Sequence, residues 1–459
     1  MKISKVKYPT EIFTMSRYNH SPFVEKIGFL SRYMQLAAEY GVTEEAVSIA
    51  ERFINGVDDV MSEFQQAILS TPVDQDEPDD LETIRKLRPE GPRKLLDALP
   101  ADYAERVRGA FYGRMAGCTL GAAVEFLPID SMIQVAEKYG DEFPPTDYWI
   151  MDPHPMPDRK HYIVGHSKDL SRSQMDAVPP DDDTMYTLVG LFAMEKYGTD
   201  IGHDRLAEIW KQYVPLGGEN GGERGCWWGE RVMLKNLHAG IPFPEAGLKG
   251  NPNLQNIAAW TRADSFGYAC PGWPEKAAEL AYIDASMNHR RNGVYGSMFM
   301  AATIAAAFAV DDPMEAVRIG LSEIPKDCMF AEGIRWALDN QGKFKNYREA
   351  ADATWEIYNG MFNGSALTNA IHVVTGLDIG GKDFTKTIGE TIAMSGDNDC
   401  TGATAGSIVG AVIGLKNIPE HWYRPFNGRM HCYLNDIPEY LDIEEVCDRF
   451  EALARKFSQ

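Results

Sequence analysis

The chain has 459 residues and carries 45 Lys and Arg against 67 Asp and Glu, a formal charge of −22 with His neutral. That balance removes the basic surface on which nucleic-acid binding draws, so no nucleic-acid partner is expected. With 44% hydrophobic and 11% aromatic residues the chain is globular rather than disordered, and at roughly 100–200 residues per domain its length admits two or three units or one enlarged one.

From Phe23 to Ser70 apolar residues recur at helical spacing, punctuated by Gly41 and Gly56, with Thr43 placed to cap the piece that begins with Glu44 and Glu45. Between Thr71 and Pro100 the sequence turns acidic and Pro-containing, which is connector chemistry. The predicted division is a helical extension and acidic linker over 1–100, followed by the main domain over 101–459. Helical patterns then run over Tyr103–Leu120, Thr184–Tyr197, Pro274–Met287, Ser297–Val310, Asn346–Tyr358, Thr401–Leu415 and Ile443–Phe457. Strand-like alternation is scarce. The expected class is all-α, one compact multi-helix domain, with Pro144–Pro180 and Leu216–Pro274 as long loops of the functional kind.

The apolar runs Met298–Val310 and Ala403–Leu415 fall short of the roughly 20 residues of a bilayer crossing. Behind the positively charged start there is no apolar core or cleavage pattern, so the expected address is the cytoplasm, without a membrane partner. Seven scattered cysteines without a C-x-x-C pair read as reduced thiols. No H-E-x-x-H, G-x-G-x-x-G, Walker loop or G-x-S-x-G is present, which removes the main support for zinc-peptidase, nucleotide-fold and serine-hydrolase readings.

Two helices carry a stripe. Gly109, Gly113, Gly117 and Gly121 stand four apart on one, and Gly402, Gly406, Gly410 and Gly414 on the other. Each interior glycine costs about 0.8–1 kcal/mol against alanine, so close backbone approach is the compensating gain. Each stripe also abuts carboxylates, Glu125 after the first and Asp397-Asn-Asp399 before the second. Asp181, Asp182 and Asp183 stand together at a third helix start, where one or two acids suit the exposed N–H groups and a third adds repulsion unless water or a cation faces it. Either a solvated acidic cap or a metal site accounts for them. Carboxylate oxygens suit Mg²⁺ or Mn²⁺, with Ca²⁺ also admissible, rather than zinc.

Gly113-Arg-Met-Ala-Gly-Cys-Thr-Leu-Gly-Ala-Ala-Val-Glu-Phe126, Asp181-Asp-Asp-Thr-Met185 and Ser395-Gly-Asp-Asn-Asp-Cys-Thr401, in this order, resemble the ADP-ribosylglycohydrolase family. The resemblance spans roughly 102–415 and implies an all-helical domain with a cleft holding two Mg²⁺ or Mn²⁺ ions. It implies that Asp181, Asp182, Asp183, Asp397, Asp399 and Cys400 hold the metal, and that Glu125, Asp182 and Asp399 are catalytic. Asp181 and Cys400 stand where the family has Thr, so one metal position is expected to be altered, empty or completed by water; Cys118, where many relatives have Asp, and Ala123, where many have Pro, imply a divergent subgroup with a substrate other than the usual ADP-ribosyl protein. The implied activity is hydrolysis of a ribosyl glycosidic bond in a small-molecule or ADP-ribosylated protein substrate. An N-ribosyl hydrolase of free nucleosides, or a silent ADP-ribose-binding protein, are the alternatives. Trp227, Trp228, Trp260, Phe266 and Tyr268 on glycine-flanked loops offer either stacking faces for a substrate or packing for the core, Arg262 a phosphate contact, and Asp284 and His289 a place near the cleft, with a hydrogen-bonded core position as the alternative for His289. The oligomeric state stays open.

Overall fold

At the centre two helices, Tyr103–Ala122 and Asn398–Ile413, lie antiparallel and nearly touch through their glycine stripes. Gly109 faces Gly410, Gly113 faces Gly406, Gly117 faces Gly402, and Gly121 faces Asn398. A Cβ added at any of these glycines would run into the facing carbonyl, so the close approach exists only because no side chain stands there. Backbone contact along the whole stripe offsets the entropic cost of the glycines. Gly414 closes the second stripe differently, as the cap of its helix with φ +76°. The antiparallel register has a consequence for chemistry: the end of the first helix, and Glu125 just beyond it, arrives beside the start of the second, where Asp397 and Asp399 stand.

Other helices surround this pair. Ile443–Phe457 and Asp182–Tyr197 pack against Tyr103–Ala122, while Phe384–Ala393, Ala366–Gly380 and Asn292–Ala307 pack against Asn398–Ile413. Asn292–Ala307 is apolar all round and buried throughout, as a helix at the middle of a large core must be. Pro274–Ala285 and Pro313–Leu321 flank it, both with Pro in the first turn, where the missing N–H costs nothing. Among the described residues the named strands are Arg429–His431 and Tyr440–Asp442, an antiparallel pair with Met430 opposite Leu441. The fold is all-α, as expected.

The computed structural model describes residues 43–70, 74–151, 170–216, 226, 228–358, 361 and 363–458, with Tyr33 and Leu36. Most of the expected lead-in before Thr43, the glycine-rich stretch 217–225 and Trp227 lie outside them. Within them, Thr43–Ser70 is one helix that runs straight through Gly56, where a break was expected. A single exposed glycine costs too little to interrupt 28 residues. No described helix is long and apolar enough to cross a membrane. The seven cysteines are free and buried.

The acidic connector is not a loose tether. Its residues 74–100 lie on the main body, with Glu77 buried and bound to Arg291, to Asn292 Nδ2 at 3.2 Å and to the Met329 N–H at 2.8 Å. Arg88 and Arg93 both reach the buried carboxylate of Glu323, at 2.6 and 2.9 Å. The second long loop also needs correction: Leu216–Pro274 contains helices at Trp228–His238 and Asp264–Ala269 and a short turn at Ile257–Ala259. Their apolar residues are internal contacts of the core rather than loop decoration.

Candidate metal centre

Asp181 ends an extended segment and caps the helix Asp182–Tyr197, its Oδ1 accepting the N–H of Asp183 at 3.0 Å. Asp183 is held by Arg114, which is fully buried on the first glycine helix. That guanidinium meets Asp183 Oδ1 at 3.2 Å and the Asp183 carbonyl at 2.7 Å, and reaches Asp264 Oδ2 at 2.8 Å. One cation thus ties three helices together around the aspartate.

The second acidic segment is fastened just as firmly. Ser395 (φ +68°) and Gly396 (φ +97°) turn the chain sharply into the second glycine helix. The Asp397 N–H donates to Asn369 Oδ1 at 3.1 Å, and Asn398 Nδ2 donates to the Ile392 carbonyl at 2.7 Å. The Phe126 N–H donates to the Gly396 carbonyl and to Asn398 Oδ1, each at 3.1 Å, and Ser395 Oγ donates to the Leu127 carbonyl at 2.7 Å. Glu125 is therefore positioned by its immediate neighbour.

These segments bring their ligand-capable atoms into three overlapping groups, each within 4.8 Å: Cys118 with Asp181 and Asp183, Asp183 with Asp399 and Cys400, and Glu125 with Asp397 and Asp399. Asp181, Asp183, Asp397 and Asp399 are between 0 and 5% exposed. Burial, then the repulsion of neighbouring carboxylates, pushes the pKa values of Asp182, Asp183 and Asp397 well above the ordinary carboxylate range, against the pull of Arg114 on Asp183 and of the Cys400 thiol on Asp183 and Asp397. Asp181 Oδ2 and Asp183 Oδ2 are buried without a conventional hydrogen bond. Orphaned carboxylate oxygens in an acid-rich pocket are what a divalent cation satisfies, and the residues present fit one.

Glu125, Asp181, Asp183, Asp397, Asp399 and Cys400 thus meet, and Cys118 joins them. Asp182 lies in none of the three groups. It is half-buried at the first helical position, repelled by Asp181 and Asp183. The expected substrate contacts go elsewhere. Trp260, Phe266 and Tyr268 are core side chains; Trp260 Nε1 donates to the Ala366 carbonyl at 3.2 Å, and Tyr268 Oη meets Ser407 Oγ at 2.7 Å. Arg262 lies over the Trp210 ring and binds Glu230 (2.5 Å), Asp284 and Asn288 (2.9 Å). His289 Nε2 sits 2.9 Å from Glu230 Oε1 in the same buried network. Packing and ion pairing, not an open loop, determine these positions. Trp228 is 38% exposed.

Two features had no signal in the sequence. Arg114 sits inside a quoted motif, yet nothing local marks it as the clamp of Asp183. A cavity of about 330 Å³ opens against the motif loop, lined by Phe126, Ser395, Gly396, Asn369, His372 and Trp355. Burial holds His372 down to about 4, so its ring there is neutral.

The sequence profile described as ADP-ribosylglycohydrolase matches residues 99–458. Among solved structures, one described as "ADP-ribosylglycohydrolase-related protein complex" shares the fold with a TM-score of 0.51 and 19% identity, covering 78% of this chain and 100% of its own. No curated protein sequence matches. With the match running over the glycine helices and both acidic segments, the chain belongs to the ADP-ribosylglycohydrolase family.

Proposed function

We propose that the protein is a divalent-cation-dependent hydrolase of a ribosyl glycosidic bond, in an ADP-ribosylated substrate or another derivative of ADP-ribose. The observation that carries this reading is the meeting of Glu125, Asp181, Asp183, Asp397 and Asp399 at one junction of three helices, buried and short of positive charge. Bound cations such as Mg²⁺ or Mn²⁺ supply Lewis-acid charge and fix hydroxyl oxygens of the sugar. Asp181, Asp183, Asp397 and Asp399 would hold them, with Arg114 keeping Asp183 in place. Glu125, half-buried at the rim, takes the proton from the attacking water. Positive charge develops at the anomeric carbon as the bond breaks, and the surrounding carboxylates favour it. The cavity beside Phe126 and the Ser395–Gly396 turn has the size of a small-molecule site, and Trp355, 53% exposed, offers an aromatic face at it.

One observation favours a second reading, cleavage of neutral N-ribosyl compounds. Asp181 brings an extra negative charge where the family motif has a neutral hydroxyl, which disfavours a nearby pyrophosphate. Turnover of ADP-ribosyl-arginine, ADP-ribosyl-serine and free nucleosides with added Mg²⁺ or Mn²⁺ separates the two. Hydrolysis of an ADP-ribosyl compound, lost in Glu125→Gln, supports the first; nucleoside cleavage alone supports the second. Binding of ADP-ribose with no turnover of any of them overturns both.

A further inference from the structure

Of the three groups of ligand-capable atoms, two include a thiol and one does not. Cys400 follows Asp399 at the start of the second glycine helix and groups with Asp183 and Asp399, while the group of Glu125, Asp397 and Asp399 holds carboxylates alone. Asp183 is fully buried, spends Oδ1 on Arg114, and leaves Oδ2 without a conventional hydrogen bond. An orphaned oxygen, a second carboxylate from another helix and a thiol therefore converge, and Cys400 at 7% exposure is less enclosed than Cys118 at 1%.

We infer that the centre takes two unlike cations: a hard one at Glu125, Asp397 and Asp399, and a borderline-soft one of the Zn²⁺, Fe²⁺ or Co²⁺ class at Asp183, Asp399 and Cys400. The inference rests on reading the cluster as a metal centre. Mg²⁺ demands a shell of oxygens in near-ideal octahedral arrangement, which a sulfur ligand spoils, whereas thiolate with carboxylate suits the softer ions. Ligation converts the Cys400 thiol to thiolate and releases one proton to the buffer, so binding on this side strengthens as pH rises. Asp399, shared between the groups, couples the two positions.

Titrating the metal-free full-length chain with Co²⁺ in a large excess of Mg²⁺ tests this, with the near-ultraviolet thiolate-to-cobalt absorption as readout. The expected result is a band that saturates at one Co²⁺ per chain. Cys400→Thr, which restores the family's oxygen, should abolish the band, weaken Co²⁺ binding at least about tenfold, and leave the far-ultraviolet helix signal intact. Cys400→Ser should behave alike, and Cys118→Ser should keep the band. Absence of the band in the unaltered protein, its persistence in both Cys400 variants, or its loss only in Cys118→Ser overturns the assignment. Turnover is measured separately: the band without any ribosyl hydrolysis upholds the metal assignment and overturns the proposed activity, whereas Mg²⁺-driven hydrolysis without the band does the reverse.

Discussion

Among the described residues, two buried clusters of charge differ in balance. Around Arg262, the acids Glu230 and Asp284 are matched by the guanidinium and by His289, with Asn288 filling a further bond. Burial opposes the charge on both acids; at Glu230 His289 and Arg262 prevail and hold it down to about 2, whereas Asp284 stays raised by burial despite Arg262. Around the helix starts, Asp181, Asp183, Asp397 and Asp399 have Arg114 as their buried cation, and burial with mutual repulsion pushes Asp183 and Asp397 up instead. The first cluster keeps a guanidinium in direct contact with both of its acids, although Glu230 Oε2 and His289 Nδ1 are buried there without a partner; the second sets one guanidinium against four acids and calls for a cation from outside. Burial alone is no sign of chemistry, but burial with an unmatched sign is.

The strongest way to break this comparison is to remove an acid from the unbalanced side. Asp399→Asn should lower cation-dependent turnover by at least about 10²–10³-fold while circular dichroism stays unchanged; unaltered turnover would take Asp399 out of the mechanism. On the balanced side, Arg262→Met leaves Glu230 and Asp284 buried without their partner, so it should cost about 3–5 kcal/mol in chemical denaturation. By contrast, Asp183→Asn in the metal-free protein should be close to neutral, because the charge it removes is repelled by its neighbours. Equal destabilisation by the two would erase the distinction drawn here.

A smaller effect is expected at the scaffold that joins the acidic segments. Gly117→Ala forces a methyl into the Gly402 carbonyl and should cost about 1–3 kcal/mol. It should also weaken cation binding, since the register that brings Glu125 to Asp399 shifts; Gly140→Ala, at a positive-φ cap with open space around it, serves as a control for strain alone.

The gentlest probe is pH. Asp183 and Asp397 have raised folded-state pKa values, so the metal-free protein binds more protons folded than unfolded and its stability falls as pH rises past the ordinary carboxylate range. Glu230 acts with the opposite sign: its contribution is present above its ordinary value of 4.5 and is lost as pH falls toward about 2. His372 also opposes Asp183 and Asp397, since burial holds it down to about 4 and its contribution grows as pH rises from there to its ordinary 6.5. The comparison in thermal denaturation is therefore with Asp397→Asn: the metal-free variant should lose less stability than the unaltered protein between mildly acidic and neutral pH, and added divalent cation should raise the unaltered protein's stability most at neutral pH. An Asp397→Asn variant whose metal-free stability follows the same pH course as the unaltered protein would contradict the direction at Asp397.

The helix Ile443–Phe457 matches its sequence pattern residue for residue because its amphipathic spacing is strong and Asp442 caps it, Oδ1 accepting the Glu445 N–H at 3.1 Å. Asp264–Ala269 escaped the same reading. It is six residues long and buried all round, so no polar face gave a period to detect. The aromatics and Arg262 show a related limit: a local string of Trp, Phe, Tyr and Arg describes a loop over a ligand and a packed core equally well.

By itself, then, the sequence determined the helical class, the glycine stripes and the acidic helix starts, since each is written in neighbouring residues through propensity, spacing and capping. Only the tertiary structure decided that the stripes face one another in antiparallel register, that Arg114 clamps Asp183, that Cys118 joins the carboxylates, and that Arg262 and His289 belong to a closed ion network. Those outcomes depend on contacts between residues far apart along the chain, whose pairing is settled by packing and charge balance rather than by local conformation.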